Sequence, residues 1–124
     1  MKILSAIVLL ALTGTVVLAQ IKLADIKEDA WYSIIACHSG KALEIQGAGK
    51  DNGLQLQQNE ANGKDYQLFT VVKETGGNYR FIARHSGYGF DVLGGVNALS
   101  NNVPVVVYPA TGARNQTFKL VAAK

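Results

Sequence analysis

The sequence has few of the residues from which cross-linked or covalent sites are built. Cys37 is the only cysteine among 124 residues, so an intramolecular disulfide is excluded. We expect its thiol to be buried as a small hydrophobe, with an intermolecular disulfide as the alternative. The chain also lacks zinc-ligand spacings, phosphate-binding glycine loops and nucleophile motifs. These absences predict a protein with no metal, no cofactor and no covalent catalysis.

The chain has no large excess of charge of either sign. Twelve Lys and Arg residues stand against nine Asp and Glu residues, for a formal net charge of +3 that is spread along the sequence. Nucleic acid or an anionic membrane surface would favour a stronger and more clustered basic charge. We therefore expect no nucleic-acid partner.

A long apolar run occurs at the start of the chain. Lys2 precedes the run over 3–12, and mostly small or apolar residues continue to Ala19. A basic residue, an apolar stretch and small residues before a cleavage site are the features of a secretory signal. A retained membrane anchor is the alternative, but a helical span takes about 20 apolar residues and this run is shorter. We expect a signal peptide over 1–19 and a secreted protein, or a periplasmic one in a bacterium, without a membrane span.

The rest of the chain contains two copies of one unit, over residues 32–72 and 79–121. Matched positions lie 47 apart in the first half of each copy, including the turns that contain His38 and His85. After a loop that is two residues longer in the second copy, matched positions lie 49 apart. A repeat of this length indicates one supersecondary unit used twice. We divide the chain into a signal at 1–19, a lead segment at 20–30 and a single domain at 31–124.

Each copy predicts four short strands and therefore an all-β fold of eight. Apolar residues alternate with other residues as expected for half-buried strands, which places Glu44 and Asp91 on the outward face. The lead segment has no convincing amphipathic helix. The third and fourth strands of the two copies are expected at 54–58, 68–72, 103–107 and 117–121.

The motifs of both copies resemble those of ricin B-type lectin repeats. That pattern runs Ser-Gly-Lys-x-Leu-Asp-Val, Asn-Gly-x-x-Val-Gln-Gln-aromatic and Asn-Gln-x-Trp. Its counterparts here are residues 39–45, 52–58 and 67–69 in the first copy, and 89–92, 105–108 and 115–118 in the second. The resemblance covers 32–121 and implies a β-trefoil-like fold with two of the usual three repeats. Phe69 and Phe118 replace the closing Trp, and we expect both to pack in the core.

The resemblance also implies a carbohydrate site. In this family the acidic residue, the aromatic that ends the third strand and the Asn of the last motif bind the sugar. The second copy has these types at Asp91, Tyr108 and Asn115, with Gln116 beside them. A weaker second site in the first copy, without a ring at the usual place, comprises Glu44, Gln57, Asn59, Tyr66 and Gln67.

Several of these residues also have a structural interpretation. Asp91 could hydrogen-bond its own loop, Gln67 and Gln116 could anchor turns through their amides, and the matched histidines are expected to be structural. Asn115 also begins a glycosylation sequon, Asn-Gln-Thr, and a glycan there would obstruct the second site.

We expect a non-enzymatic carbohydrate-binding module. The alternative is a structural or protein-interaction module that kept the fold and lost the sugar. Two repeats would leave apolar flanks that a third would cover, and residues 20–30 are too few to cover them. We therefore expect a homo-oligomer, either a dimer or a trimer.

The secreted product should begin at Gln20. Val17 and Ala19 precede a sharp change in polarity and match the small residues required before the cleavage site. The intact mass of protein recovered from the medium tests this prediction, and a mass that includes residues 1–19 contradicts it.

Overall fold

The computed structural model describes residues 3–12 and 15–121. Strands β1 (Ile3–Leu12) and β2 (Thr15–Lys22) pair as an antiparallel hairpin, and β1 also pairs with β3 (Ser33–Ile34). The predicted cleavage point lies within β2, and removal of the signal stays a prediction. Residues 1, 2, 13 and 14 of the predicted signal and residues 122–124 of the predicted domain lie outside the described residues.

The two sequence copies form eight strands, four in each, as predicted. Those of the first copy are β3, β4 (Ala42–Ile45), β5 (Leu56–Asn59) and β6 (Phe69–Glu74). Those of the second copy are β7 (Asn78–Ala83), β8 (Gly89–Val92), β9 (Val105–Tyr108) and β10 (Phe118–Lys119). Three-residue 3-10 turns occur at Leu23–Asp25, Gln46–Ala48, Asp65–Gln67, Thr75–Gly77 and Arg114–Gln116. In the described ranges, no helix is long and apolar enough to cross a bilayer.

The second and third strands of each copy form equivalent antiparallel hairpins. In β4–β5, Glu44 lies opposite Gln57, and in β8–β9, Asp91 lies opposite Val106. The copies are joined by β6 and β7, whose connecting turn uses positive φ at Gly76 and Gly77, a conformation that favours glycine. β7 also pairs with β8 and β10.

Both copies contribute to one apolar core. Its buried residues are Ile45, Phe69, Ala83, Phe90 and Val107. The rings of Phe69 and Phe90 meet edge to face with centroids 5.1 Å apart, and Phe118 packs from the margin of the same cluster. Full burial of a Phe side chain is worth roughly 1.5–3 kcal/mol. The expectation that Phe replaces the closing Trp as a core anchor is confirmed at both positions.

The lead segment contributes to the core, which sequence reasoning missed. Ile26 is buried against Tyr32 and Val71 in a second apolar cluster. Glu28 holds the segment on β6, since its carbonyl accepts from the Thr70 hydroxyl and its carboxylate accepts from the Lys73 amide, both at 2.7 Å. This segment therefore covers part of the apolar flank that was expected to stay open.

The expectation of a buried Cys37 was wrong. Cys37 is exposed in the turn between β3 and β4. The Gly40 amide donates to the Ala36 carbonyl at 2.8 Å and closes this turn, with φ of Gly40 at +71°. Because the bond joins the two ends of the turn, the residues between them project away from the core.

Candidate functional site

A buried carboxylate and a buried glutamine are hydrogen-bonded in each repeat. Nε2 of Gln67 donates to Oε1 of Glu44 at 3.0 Å, and Nε2 of Gln116 donates to Oδ2 of Asp91 at 2.9 Å. Glu44 is only 5% exposed and Asp91 7%, so the expectation that these acidic side chains face outward was wrong. A carboxylate tolerates such burial because charge-assisted hydrogen bonds replace its contacts with water.

The same glutamines also anchor the loop that precedes each 3-10 turn. Gln67 donates to the carbonyl of Glu60 at 2.8 Å and accepts from the amide of Asn62 at 2.9 Å. Gln116 makes the matching bonds, to the carbonyl of Pro109 at 3.0 Å and from the amide of Thr111 at 2.9 Å. The structural role predicted for both glutamines is confirmed. The backbone groups of the loop were missed, because nothing in the side-chain pattern identifies them.

The carboxylate of the first repeat is fully engaged by its own neighbours. Besides the bond from Gln67, Oε2 of Glu44 accepts from Nε2 of Gln57 at 2.9 Å and from Nδ2 of Asn59 at 3.2 Å. Burial by itself raises the pKa of Glu44, but the three amide hydrogen bonds together outweigh burial and hold the pKa below its usual value. Four predicted site residues are thus brought together and bind one another.

The fifth residue of the predicted first site, Tyr66, makes contacts elsewhere. Its hydroxyl accepts from Nδ2 of Asn62 at 2.9 Å, and its ring meets His85 edge to face at 6.4 Å. His85 also hydrogen-bonds the carbonyl of Gly49, so it links the two repeats, whereas the matched His38 is exposed. The structural role expected of the histidines therefore holds for His85 by its contacts. In the first repeat, no ring takes the place of the missing aromatic.

The carboxylate of the second repeat keeps one oxygen available. The strand positions of Gln57 and Asn59 are occupied here by Val106 and Tyr108, which lack amide donors. Among residues 3–12 and 15–121, Asp91 receives the bond from Gln116 at Oδ2, and none is formed at Oδ1. Within the described residues, the buried side-chain atoms that lack a hydrogen-bond partner are Ser33 Oγ and His85 Nδ1. Because Asp91 Oδ1 has no partner and is not among them, it is accessible to solvent. It can therefore accept a hydrogen bond from a ligand.

Tyr108 and Asn115 lie beside this carboxylate. Tyr108 ends β9 opposite Gly89, which places it diagonally across the hairpin from Asp91 on one face, a separation of roughly 7–8 Å between such positions. Its side chain is 37% exposed. Asn115 donates to the carbonyl of Val92 at 3.2 Å. This bond fixes the Asn115 amide at the end of β8, the strand that also contains Asp91.

Gln116, the fourth residue predicted for the second site, is 3% exposed and uses both amide protons and its oxygen within the protein, so it holds the site in place and offers a ligand no polar group. The other three predicted residues form one group of an exposed ring, an open carboxylate oxygen and a fixed amide. Hydroxyl-bearing ligands suit such a group, since a ring face accepts apolar C–H surface while the polar atoms pair with hydroxyls. No cluster of three or more His, Cys, Asp or Glu side chains able to hold a metal occurs within the described ranges.

Stability should decrease at acidic pH because of Glu44. Its folded-state pKa is lowered, so the stabilisation is present above the ordinary value of 4.5 and is lost as the pH falls through the folded value. Urea unfolding between pH 7 and pH 3 measures the free energy of unfolding, and Glu44→Gln should reduce its dependence on pH. A Glu44→Gln profile that parallels that of the unaltered protein contradicts this assignment.

Comparison with known proteins agrees with this geometry. Residues 20–108 match a family model described as ricin-type β-trefoil lectin domain-like. The structure is similar to that of ThreeFoil, a designed 3-fold symmetric protein, with 31% identity and a TM-score of 0.69 over 86% of this chain and 81% of that one. No curated protein sequence matches the chain significantly.

A second similar structure is 1,3Gal43A, an exo-β-1,3-galactanase from Clostridium thermocellum. The identity is 22% and the TM-score 0.68, over 89% of this chain and 26% of the galactanase chain, so this likeness concerns the fold alone. The family match over 20–108 and the likeness to ThreeFoil confirm the resemblance that the repeat motifs indicated. This chain belongs to the ricin-type β-trefoil lectin domain-like family.

Proposed function

We propose that this protein is a secreted, non-enzymatic module that binds carbohydrate at one site, in its second repeat. The observation that carries the proposal is the difference between the two buried carboxylates. Three amides of the protein occupy Glu44, whereas Gln116 alone donates to Asp91 within the described residues. A ligand hydroxyl can therefore take at Asp91 the place that Gln57 and Asn59 take at Glu44.

The site offers a sugar two complementary surfaces. The exposed face of Tyr108 suits the apolar face of a pyranose ring, and Oδ1 of Asp91 suits a hydroxyl at its edge. Asn115 already donates one amide proton to a backbone carbonyl, so its oxygen and second proton remain for the ligand. The match to a lectin domain-like family supports carbohydrate as the ligand class.

A structural or protein-interaction module is the competing function. The first repeat favours this alternative, because its own amides occupy the Glu44 carboxylate. A lectin with an open site in each repeat would gain avidity that a single open site does not give. We propose a non-enzymatic role because each carboxylate is held by the glutamine of its own repeat, an arrangement that fixes charge and moves no proton.

Substitutions in the second repeat should weaken sugar binding. Asp91→Asn removes the charged acceptor and should cost about tenfold to a hundredfold in affinity, as expected for about 1.5–3 kcal/mol. Tyr108→Ala removes the stacking ring and should also weaken binding. Glu44→Gln is the matched control in the first repeat and should leave binding nearly unchanged. A glycan array on the mature protein identifies the ligand, and calorimetry then measures each variant.

The outcomes separate the competing functions. If Glu44→Gln abolishes binding and Asp91→Asn does not change it, the site lies in the first repeat and the proposed assignment is wrong. Absence of binding to every glycan on the array, by a folded protein, would favour the interaction module.

We also propose that the mature protein lacks the third repeat of a trefoil and self-associates to cover the apolar flank that the lead segment leaves open. Leu93, Val96 and Leu99 are large apolar side chains exposed in the loop after β8, and they provide surface for association. Sedimentation over a concentration series should show a dimer or a trimer, and Leu93→Ser with Val96→Ser should shift it toward monomer. A compact monomer at micromolar concentration contradicts the proposal.

A further inference from the structure

A cavity of about 400 Å³ lies between the β6–β7 turn and the end of the second repeat. Glu74 and Asn78 line one side, and Arg114, Thr117 and Lys119 line the other. Its volume falls within the roughly 300–1,000 Å³ of small-molecule sites. None of the four residues predicted for the sugar site lines it, so it is a separate place on the molecule.

The first repeat shows why this cavity exists. Asn78 matches Trp31, since both immediately precede the Tyr that begins a copy. In the first repeat the Trp31 ring stacks with the guanidinium of Arg84, at 5.3 Å from its centroid. An indole is much larger than the carboxamide of Asn78. The exchange therefore leaves space in the second repeat where the first holds a ring.

The charges at this place are also reversed between the repeats. Arg114 matches Asp65 and Lys119 matches Thr70, at the spacing of 49 that holds for this half of the repeat. In the first repeat, Asp65 pairs with Arg84 at 3.6 Å, so the cation there already has an anionic partner. The second repeat places two cations where the first has a carboxylate and a hydroxyl.

Within the described residues, no carboxylate pairs with the two cations that line the cavity. Glu74 contributes the one carboxylate of the lining, and it pairs with Arg80. In the part of the chain that the structure describes, the ion pairs are Lys41–Glu60, Arg80–Glu74 and Arg84–Asp65, so Arg114 and Lys119 have no carboxylate partner there. Both exposed cations line the same cavity, whose volume is large enough for a small anion.

We propose that this cavity is a second ligand site, which binds an oxyanion, either the carboxylate of a uronic acid or the sulfate of a sulfated sugar. A guanidinium binds both groups through parallel N–H donors, and the ammonium of Lys119 adds a second charge. The remaining amide proton of Asn78, whose other proton is donated to the Thr75 carbonyl, supplies a neutral donor. That the oxyanion is attached to a sugar rests on the proposed function, whereas the presence of an oxyanion site does not.

Titration of the mature protein, observed by NMR of its backbone amides, tests the proposal. The probes are glucuronate, glucose 6-sulfate and, as the neutral control, glucose. Amide shifts at Gly112 and Thr117 should respond to the acids with affinity near the millimolar range typical of one shallow site. Because exposed charges are screened by salt, raising the ionic strength should weaken this response.

The variants restore the residues of the first repeat. Arg114→Asp and Lys119→Thr should each weaken binding of the acids about tenfold or more, since each removes one charge-assisted contact. Lys50→Thr removes an exposed cation elsewhere and is the matched control, which should bind as the unaltered protein does. Tyr108→Ala should also leave the acid response intact, which distinguishes this site from the proposed sugar site.

Each outcome decides the matter. A response to one acid alone supports the proposal and identifies the group that is bound, and a response to both supports the shared oxyanion chemistry. Equal shifts with glucose, no shift with either acid at tens of millimolar, or unchanged binding in both first-repeat variants overturns it. If Asp91→Asn loses glycan-array binding but keeps its response to the acids, the oxyanion site in the cavity is separate from the sugar site and its assignment stands.

Discussion

The hydrogen bond between a buried carboxylate and a buried glutamine determines the organisation of each repeat. It joins the second strand to the 3-10 turn near the end of the repeat, through Gln67 in one copy and Gln116 in the other. The same amides hold the loop between these elements by a backbone donor and a backbone acceptor. Loss of Gln116 would leave the Asp91 carboxylate, an amide and a carbonyl without these partners, and such groups are costly to bury alone. Loss of Gln67 would leave the matching amide and carbonyl unpaired, while Gln57 and Asn59 would still donate to Glu44.

The proposed site depends on this bond for its geometry. Asn115 adjoins Gln116 in the same turn, so the bond that fixes the turn also fixes the amide toward the end of β8. A side chain held in this way loses little further freedom when a ligand binds. The carboxylate of Asp91 thus has a structural role through Oδ2 and is available for recognition through Oδ1.

The two repeats share a scaffold and differ in what surrounds it. In the first, amides from β5 close the carboxylate and Trp31 fills the space beside Arg84. In the second, Val106 and Tyr108 leave the carboxylate open, and Asn78 leaves a cavity. The common core of Phe69, Phe90 and their neighbours is kept, because Tyr108 and Asn78 lie at the surface or its margin and the buried Val106 adds apolar surface. One copy therefore encloses its carboxylate, while the other leaves open the carboxylate and the cavity on which the two proposed sites rest.

The sequence by itself determined the two-copy organisation, the eight strands of the copies and the anchoring role of the glutamines. These features follow from local alternation and from a repeat spacing that is visible in one dimension. The tertiary structure alone decided that Glu44 and Asp91 are buried, that Ile26 joins the core, and that Cys37 is exposed. Alternation along a strand says which residues share a face, but a carboxylate on that face is buried or exposed according to what covers it. The donors to Glu44 lie 13 to 23 residues away in sequence, so the strand register and the turn bring them together. That register, which no local pattern contains, is the same in both hairpins, so the amides of Gln57 and Asn59 close one carboxylate while Val106 and Tyr108 at the matched positions leave the other open.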